Sequence, residues 1–157
     1  MSELGRSVRK KAIEDLEKER EGASSGLNNV LRLMAKWRST LIRNTLLQKN
    51  GTLVMNGLLS GMDFLADSSE GCHVAKLLGT YEQPLQAPLG KLLGESAYQS
   101  IINIGCAEGY YAVGLARLVE DITSYAYDTN PNARKACREL AEKNNVTERM
   151  VIGELFS

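Results

Sequence analysis

The 157-residue chain is 43% hydrophobic and 24% charged with a formal net charge of zero, which suits one soluble globular domain and excludes collagen, coiled-coil arrays and a disordered chain. No apolar run approaches the roughly 18 residues that span a bilayer, and Met1 to Glu21 is too charged for the apolar core of a secretory signal, so a cytoplasmic protein without a membrane segment is expected. Cys72, Cys106 and Cys137, with His73 as the single histidine, make neither a disulfide framework nor a zinc site.

The neutral total hides a segregation. Residues 1–50 hold 11 Lys+Arg against 6 Asp+Glu, net +5, whereas residues 51–157 hold 8 against 13, net −5. The highly charged start, with KKAIEDLEKEREG, predicts a solvated or frayed helix ending near Gly22 that contributes little to any site. From Ser25 or Gly26, Leu27, Val30, Leu31, Met34, Trp37, Leu41, Ile42 and Thr45 recur at helical spacing until Asn50-Gly51, predicting an amphipathic helix. Arg32, Lys36, Arg38, Arg43 and Lys49 are assigned to its other face. Five basic residues with a single aromatic do not make a nucleic-acid module, and a solvated helix is the expectation.

Thr52 to Met55 and Met62 to Leu65 are strand-like runs around Gly57 and Gly61, and predict a small hairpin. In HVAKLLGTYEQPLQAPLGKLLGES, Pro84 and Pro88 predict two short helices broken near Gln83, with Gly94 as the stop signal. Ser100 to Ile104 (SIINI), bounded by Gly105, reads as a buried parallel strand. Tyr110 to Leu118 is helical by period, and Ile122 to Tyr127 alternates as a second strand. Pro131 after an Asn130 cap opens the helix NARKACRELAEKN, and Met150 to Ile152 is a third strand. Strand, helix, strand, helix, strand is the order of an α/β fold, here half of a doubly wound, right-handed parallel sheet. The expected organisation is a helical segment 1–50, a hairpin and short helices 51–97, and the sheet 98–157.

A strand that ends in glycines and turns straight into a helix lets a ligand approach the backbone and points unpaired amides at it. In INIGCAEGYYAVGLARLVEDITSYAYDTNPNA, Gly105 and Gly109 supply that space, and Asp128 follows Gly109 by 19 positions, near the roughly 20 expected for a carboxylate on ribose hydroxyls. Tyr110 stands where a dinucleotide fingerprint needs a small residue, which disfavours a nicotinamide-dependent reductase. Cys106, without a local nucleophile motif, reads as a small loop-filling residue, and His73 as a surface or packed histidine.

Glycines at 105 and 109 with Ala107 between them resemble the G-x-G-x-G loop of class I, Rossmann-like S-adenosylmethionine-dependent methyltransferases, over about residues 98 to 157. GMDFLADSSEG and KLLGTYEQPL upstream also look like the hairpin and pre-sheet segment of members of that superfamily. The resemblance implies S-adenosyl-L-methionine (or S-adenosylhomocysteine) as ligand, with its methionine end over Gly105, Cys106, Ala107, Glu108 and Gly109. It implies Asp128 on the ribose diol, Thr129 and Asn130 beside the adenine, and Glu154 accepting from the adenine amino group. Asn103 stands where the family's first strand has an acid, and Ala107 replaces the middle glycine; an amide still hydrogen-bonds and alanine adds one methyl. Tyr81 and Glu82 are assigned either to a lid over the cofactor or to packing and solvent.

A complete sheet of this superfamily has four further strands, so the expectation is a fragment or a degenerate half-domain: a methyltransferase if part of a complete chain, inactive as these residues alone. The acceptor and the catalytic base are not encoded here. The contrasting expectation is a non-catalytic interaction protein using the basic helix and an open sheet edge; the first-strand edge, open to the N-terminal helices, a second copy or residues of a longer protein, leads to the expectation that these residues alone self-associate or are marginally stable.

Overall fold

The computed structural model describes residues 3–20, 26–68, 71–95 and 98–156, and the chain divides into two compact units, Met1–Leu46 and Leu47–Ser157. In the first unit, α1 (Glu3–Arg20) buries Val8, Ala12 and Asp15, and α2 (Gly26–Asn50) begins beside it. The two backbones meet so closely that a Cβ at Gly26 would lie 2.4 Å from the Asp15 carbonyl oxygen, which excludes any larger residue. The expected helix end near Gly22 lies outside the described residues. Far from being solvated all round, α1 has one packed face, which small residues among many charges conceal in the sequence. Arg38 shares the side of Leu31 and Ile42, 7 and 4 residues away, so the basic residues of α2 are not confined to one face. No described helix is long and apolar enough to cross a membrane.

In the second unit, the hairpin is reduced to a single antiparallel bridge, Leu53 with Asp63, flanked by Val54 N to Met62 O and Phe64 N to Thr52 O, each 2.9 Å. Val54, Leu59, Met62 and Phe64 from this segment are buried. α3 (His73–Leu78) ends on Gly79, where the amides of Gly79 and Thr80 bond back to the carbonyls of Lys76 and Ala75. The break therefore lies next to Gln83, as expected, but that motif rather than a proline makes it. α4 (Gln83–Glu95) runs through Pro88 and past Gly94. Its outer residues are solvent-exposed, so water can satisfy the carbonyl that Pro88 leaves without a donor.

β1 (Ser100–Ile104), β2 (Thr123–Tyr127) and β3 (Met150–Gly153) form a parallel sheet in the order β1-β2-β3, joined by α5 (Tyr110–Leu118) and α6 (Pro131–Lys143). This is α/β architecture, a partial Rossmann-like sheet. Both crossovers advance in the same direction, so both helices cover one face. Ser124 donates to the Ala112 carbonyl of α5 at 2.9 Å on that face, where Ala126, Ile122, Cys137 and Leu140 are also buried. Helices of a second winding are not among the described residues.

The first-strand edge expected from the strand order of the resembling family is present, whereas the apolar run by itself reads as a buried strand. β1 is an edge, and Ile102 (51% exposed) and Ile104 (69%) point to the face that neither α5 nor α6 covers, in register with Tyr125 and Tyr127. An apolar run reads alike in a central strand and an edge strand, since strand order is a tertiary property.

Candidate functional site

The loop between β1 and α5 has left-handed backbone at alternate positions: Gly105 (φ 75°), Ala107 (φ 49°) and Gly109 (φ 87°). Glycine adopts this region freely, whereas an alanine costs about 1–2 kcal/mol there. Ala107 is held in it by a hydrogen bond from its amide to Asp128 Oδ2, 2.9 Å. The amides of Gly105 and Cys106 donate to the Tyr127 carbonyl at 2.8 and 3.0 Å, and that of Gly109 to the Cys106 carbonyl at 2.8 Å. Four of the loop's amides therefore bond within the chain, which corrects the picture of unpaired donors aimed at a ligand; the loop offers space and shape instead.

That space is a cleft of about 220 Å³. Asn103, Gly105, Cys106 and Ala107 from β1 and the loop line it together with Lys76, Tyr81, Glu82, Tyr110 and Tyr111. A Cβ placed on Gly105 meets nothing within 4 Å, whereas one on Gly109 would sit 2.6 Å from Cys137 Sγ. Gly105 thus faces open space and Gly109 is required by packing. Tyr81, Tyr110 and Tyr111 form one aromatic cluster, with ring centroids 5.4–6.1 Å apart. Tyr81 and Glu82 do stand at the cleft, with Tyr81 half-buried and Glu82 exposed.

Glu108 is not at the cleft surface. Its side chain is fully buried beneath the loop, where Oε1 accepts from Lys76 Nζ (2.6 Å) and Ser68 Oγ (2.7 Å). Lys76 Nζ also lies 4.8 Å from the centre of the Tyr81 ring. Burial pushes the Glu108 carboxyl up, but the hydrogen bonds from Lys76 and Ser68 and the lysine's charge outweigh it and hold the group below its ordinary value. Burial raises the Tyr110 phenol to about 12 and raises Tyr111 as well, with Glu82 adding to the latter, so both are neutral proton donors at pH 7. Cys106 is buried, as a loop-filling residue would be, and the Cys106 thiol and burial together raise the pKa of Cys137. A neutral buried thiol is not a nucleophile. His73 is packed, with Nε2 2.9 Å from the Leu65 carbonyl.

Asp128, Thr129, Asn130 and Glu154 lie around Arg134 rather than in the cleft lining. Asp128 Oδ1 accepts from the Asn130 amide (2.8 Å), and Asn130 caps α6 by accepting from the Asn132 amide (2.9 Å). Arg134 Nη1 donates to the carbonyls of Asp128 (2.7 Å) and Thr129 (3.0 Å), and Nη2 pairs with Glu154 at 3.6 Å. Each Asp128 oxygen keeps a lone pair beyond its backbone bond. Glu154 is 65% exposed at its side chain and joined to Arg134 by a long, solvated ion pair. The fold thus makes two neighbouring groups, joined through the bond from Ala107 to Asp128. Sequence reading passed over Lys76 and Arg134. Arg134 is reachable in principle, six residues past a strand-end acid on the first turn of a capped helix; Lys76, 32 positions before Glu108, is not.

No protein-family model matches the chain, and no curated protein matches it. Among solved structures, an O-methyltransferase family protein from Burkholderia thailandensis is similar to it at 15% identity and a TM-score of 0.38. The match covers 76% of this chain and 37% of that one, so the chain spans well under half the length of that protein.

Proposed function

We propose that residues 98–157 are the cofactor-binding half of an S-adenosylmethionine-dependent methyltransferase domain. The observation that carries this reading is the loop Gly105–Gly109, whose open side at Gly105 borders a cleft while its Ala107 amide is tied to the acid at the end of β2. The residues present fit such a ligand in part. Gly105 leaves room against the backbone, Asp128 retains acceptor capacity for a ribose diol, and Asn103 lines the cleft with an amide. The side chains of Glu108 and Gly109's neighbour Cys137 shape the loop from beneath.

When bound, the cofactor supplies an electrophilic methyl group on a sulfonium. The chain's part is to hold that ligand: the loop by shape, Asp128 by hydrogen bonds, Tyr81 and Glu82 by excluding water, and Glu154 with Thr129 and Asn130 around the base. No residue in the cleft is assigned as a base, and the acceptor is left open.

Calorimetric titration of the chain with S-adenosylhomocysteine and, separately, with NAD tests the proposal. Selective binding of the first is expected; binding of NAD alone, or of both equally, overturns it. Binding of neither favours a second reading, an interaction protein that presents the exposed β1 edge, for which Ile102 and Ile104 speak.

A further inference from the structure

We infer that Glu82 selects the ligand of the cleft by charge: its carboxylate takes a primary ammonium group, with the Tyr111 hydroxyl as the second acceptor. The inference rests on the reading of the cleft as the place of the cofactor's amino-acid end. Two of the residues that line the cleft carry a charge, Lys76 and Glu82. Lys76 is neutralised by Glu108 beneath the loop, at 2.6 Å. Glu82 makes no ion pair among the described residues, so the cleft keeps one uncompensated negative charge at its rim.

The backbone holds that charge in place against its own preference. Glu82 has φ 44°, in the left-handed region that glycine adopts freely and a glutamate rarely does. The turn before it is pinned. The amides of Thr80 and Tyr81 both donate to the Ala75 carbonyl (2.9 and 3.1 Å), and Gln86 Nε2 donates to the carbonyls of Gly79 (2.7 Å) and Tyr81 (3.4 Å). Glu82 is solvent-exposed, so packing gives no reason for a glutamate where glycine fits better, whereas a carboxylate needed at the mouth of a cleft does. Tyr111 supplies the second point. Its hydroxyl oxygen is buried without a hydrogen-bond partner of good geometry among the described residues, although Glu82 stands close enough to raise the phenol's pKa. A neutral phenol keeps lone pairs to offer. An ammonium has three donors and can serve the carboxylate and the phenol oxygen together, while a hydroxyl has one donor and an anion is repelled. Asn103 adds an amide to the same lining and no charge.

Calorimetric titration of the full 157-residue chain with S-adenosylhomocysteine and with its deaminated analogue, which keeps the carboxylate but has hydrogen in place of the amino group, tests this. The parent should bind S-adenosylhomocysteine about five-fold or more tightly than the analogue, a modest factor because the carboxylate is solvated. Glu82→Gln should remove most of that preference by weakening the first ligand without weakening the analogue, and Tyr111→Phe should reduce it by less. Glu82→Gly should bind like Glu82→Gln, with a melting temperature no lower than the parent's, because glycine accepts the left-handed backbone. Equal binding of the two ligands by the parent overturns the inference and leaves the cofactor reading standing. So does a Glu82→Gln that weakens both ligands alike, or a Glu82→Gly that lowers the melting temperature and keeps the preference. Binding of neither ligand overturns the cofactor reading itself, and this inference falls with it.

Discussion

Lys76 Nζ lies 2.6 Å from Oε1 of Glu108, and both side chains are almost wholly buried, so a single ion pair ties α3 to the underside of the glycine loop. Ser68 adds a third partner, while Oε2 of Glu108 has none among the described residues. Such a pair contributes little over an apolar replacement of the same shape, yet removing one member leaves an uncompensated buried charge. Its value lies in fixing where the loop sits.

Lys76→Met should therefore destabilise the chain by about 3–5 kcal/mol, Glu108→Gln by less, and the double Lys76→Met/Glu108→Leu should return most of the loss. Urea unfolding measures all three. Additive losses in the double variant would mean that the two side chains act independently.

Acid should act through the same group. The Glu108 carboxyl is held below its ordinary 4.5 in the folded chain, so its contribution is complete above that pH and is lost as pH falls through the lowered folded value. Asp63, lowered by Thr52 and Lys143 against the opposing effect of burial, titrates in the same sense below 3.8. Stability measured from pH 7 down to 3 should fall below about pH 4.5, and less steeply in Glu108→Gln. A Glu108→Gln curve parallel to the parent's would remove this group from the acid response.

The glycines separate ligand space from packing. Gly105→Val should abolish S-adenosylhomocysteine binding; its Cβ points into open space, so the stability it loses, about 1–2 kcal/mol or more, comes from the left-handed backbone at φ 75° and not from contacts. Gly114→Val drives a Cβ to 2.5 Å from Leu59 Cδ1, and Gly109→Ala one to 2.6 Å from Cys137 Sγ, so these two should lower the melting temperature instead. Equal effects on affinity at Gly105 and Gly114 would count against the loop as the ligand site.

Asp128→Ala should weaken binding of S-adenosylhomocysteine by about 1.5–3 kcal/mol, since hydrogen bonds to a charged group are worth about that much. It should also destabilise the chain, because the carboxylate holds the amides of Ala107 and Asn130. Calorimetry and thermal unfolding separate the two effects. A folded variant with unchanged affinity would take Asp128 out of the site.

Local order was legible wherever one element's own residues decide it. The β1, α5, β2, α6 and β3 segments follow from apolar runs, helical period and the Asn130-Pro131 start, and the structure has them within a residue of the expected bounds. The position of the glycine loop and the acid 19 residues beyond it were likewise readable, because strand length and helix length set that spacing. Period and capping are short-range physics, carried by neighbours three or four positions apart.

What needed the folded chain were relations between residues far apart in sequence. The edge position of β1 was expected from the family's strand order, but that Ile102 and Ile104 are the side chains left exposed, on the face that α5 and α6 do not cover, came only with the fold. The pairing of Lys76 with Glu108, the use of the loop's amides by Tyr127 and Asp128, and the fit of Gly109 against Cys137 all join separate elements. Their free energy comes from burial and from hydrogen bonds made only once those elements pack, and a linear pattern holds no record of which distant groups will meet.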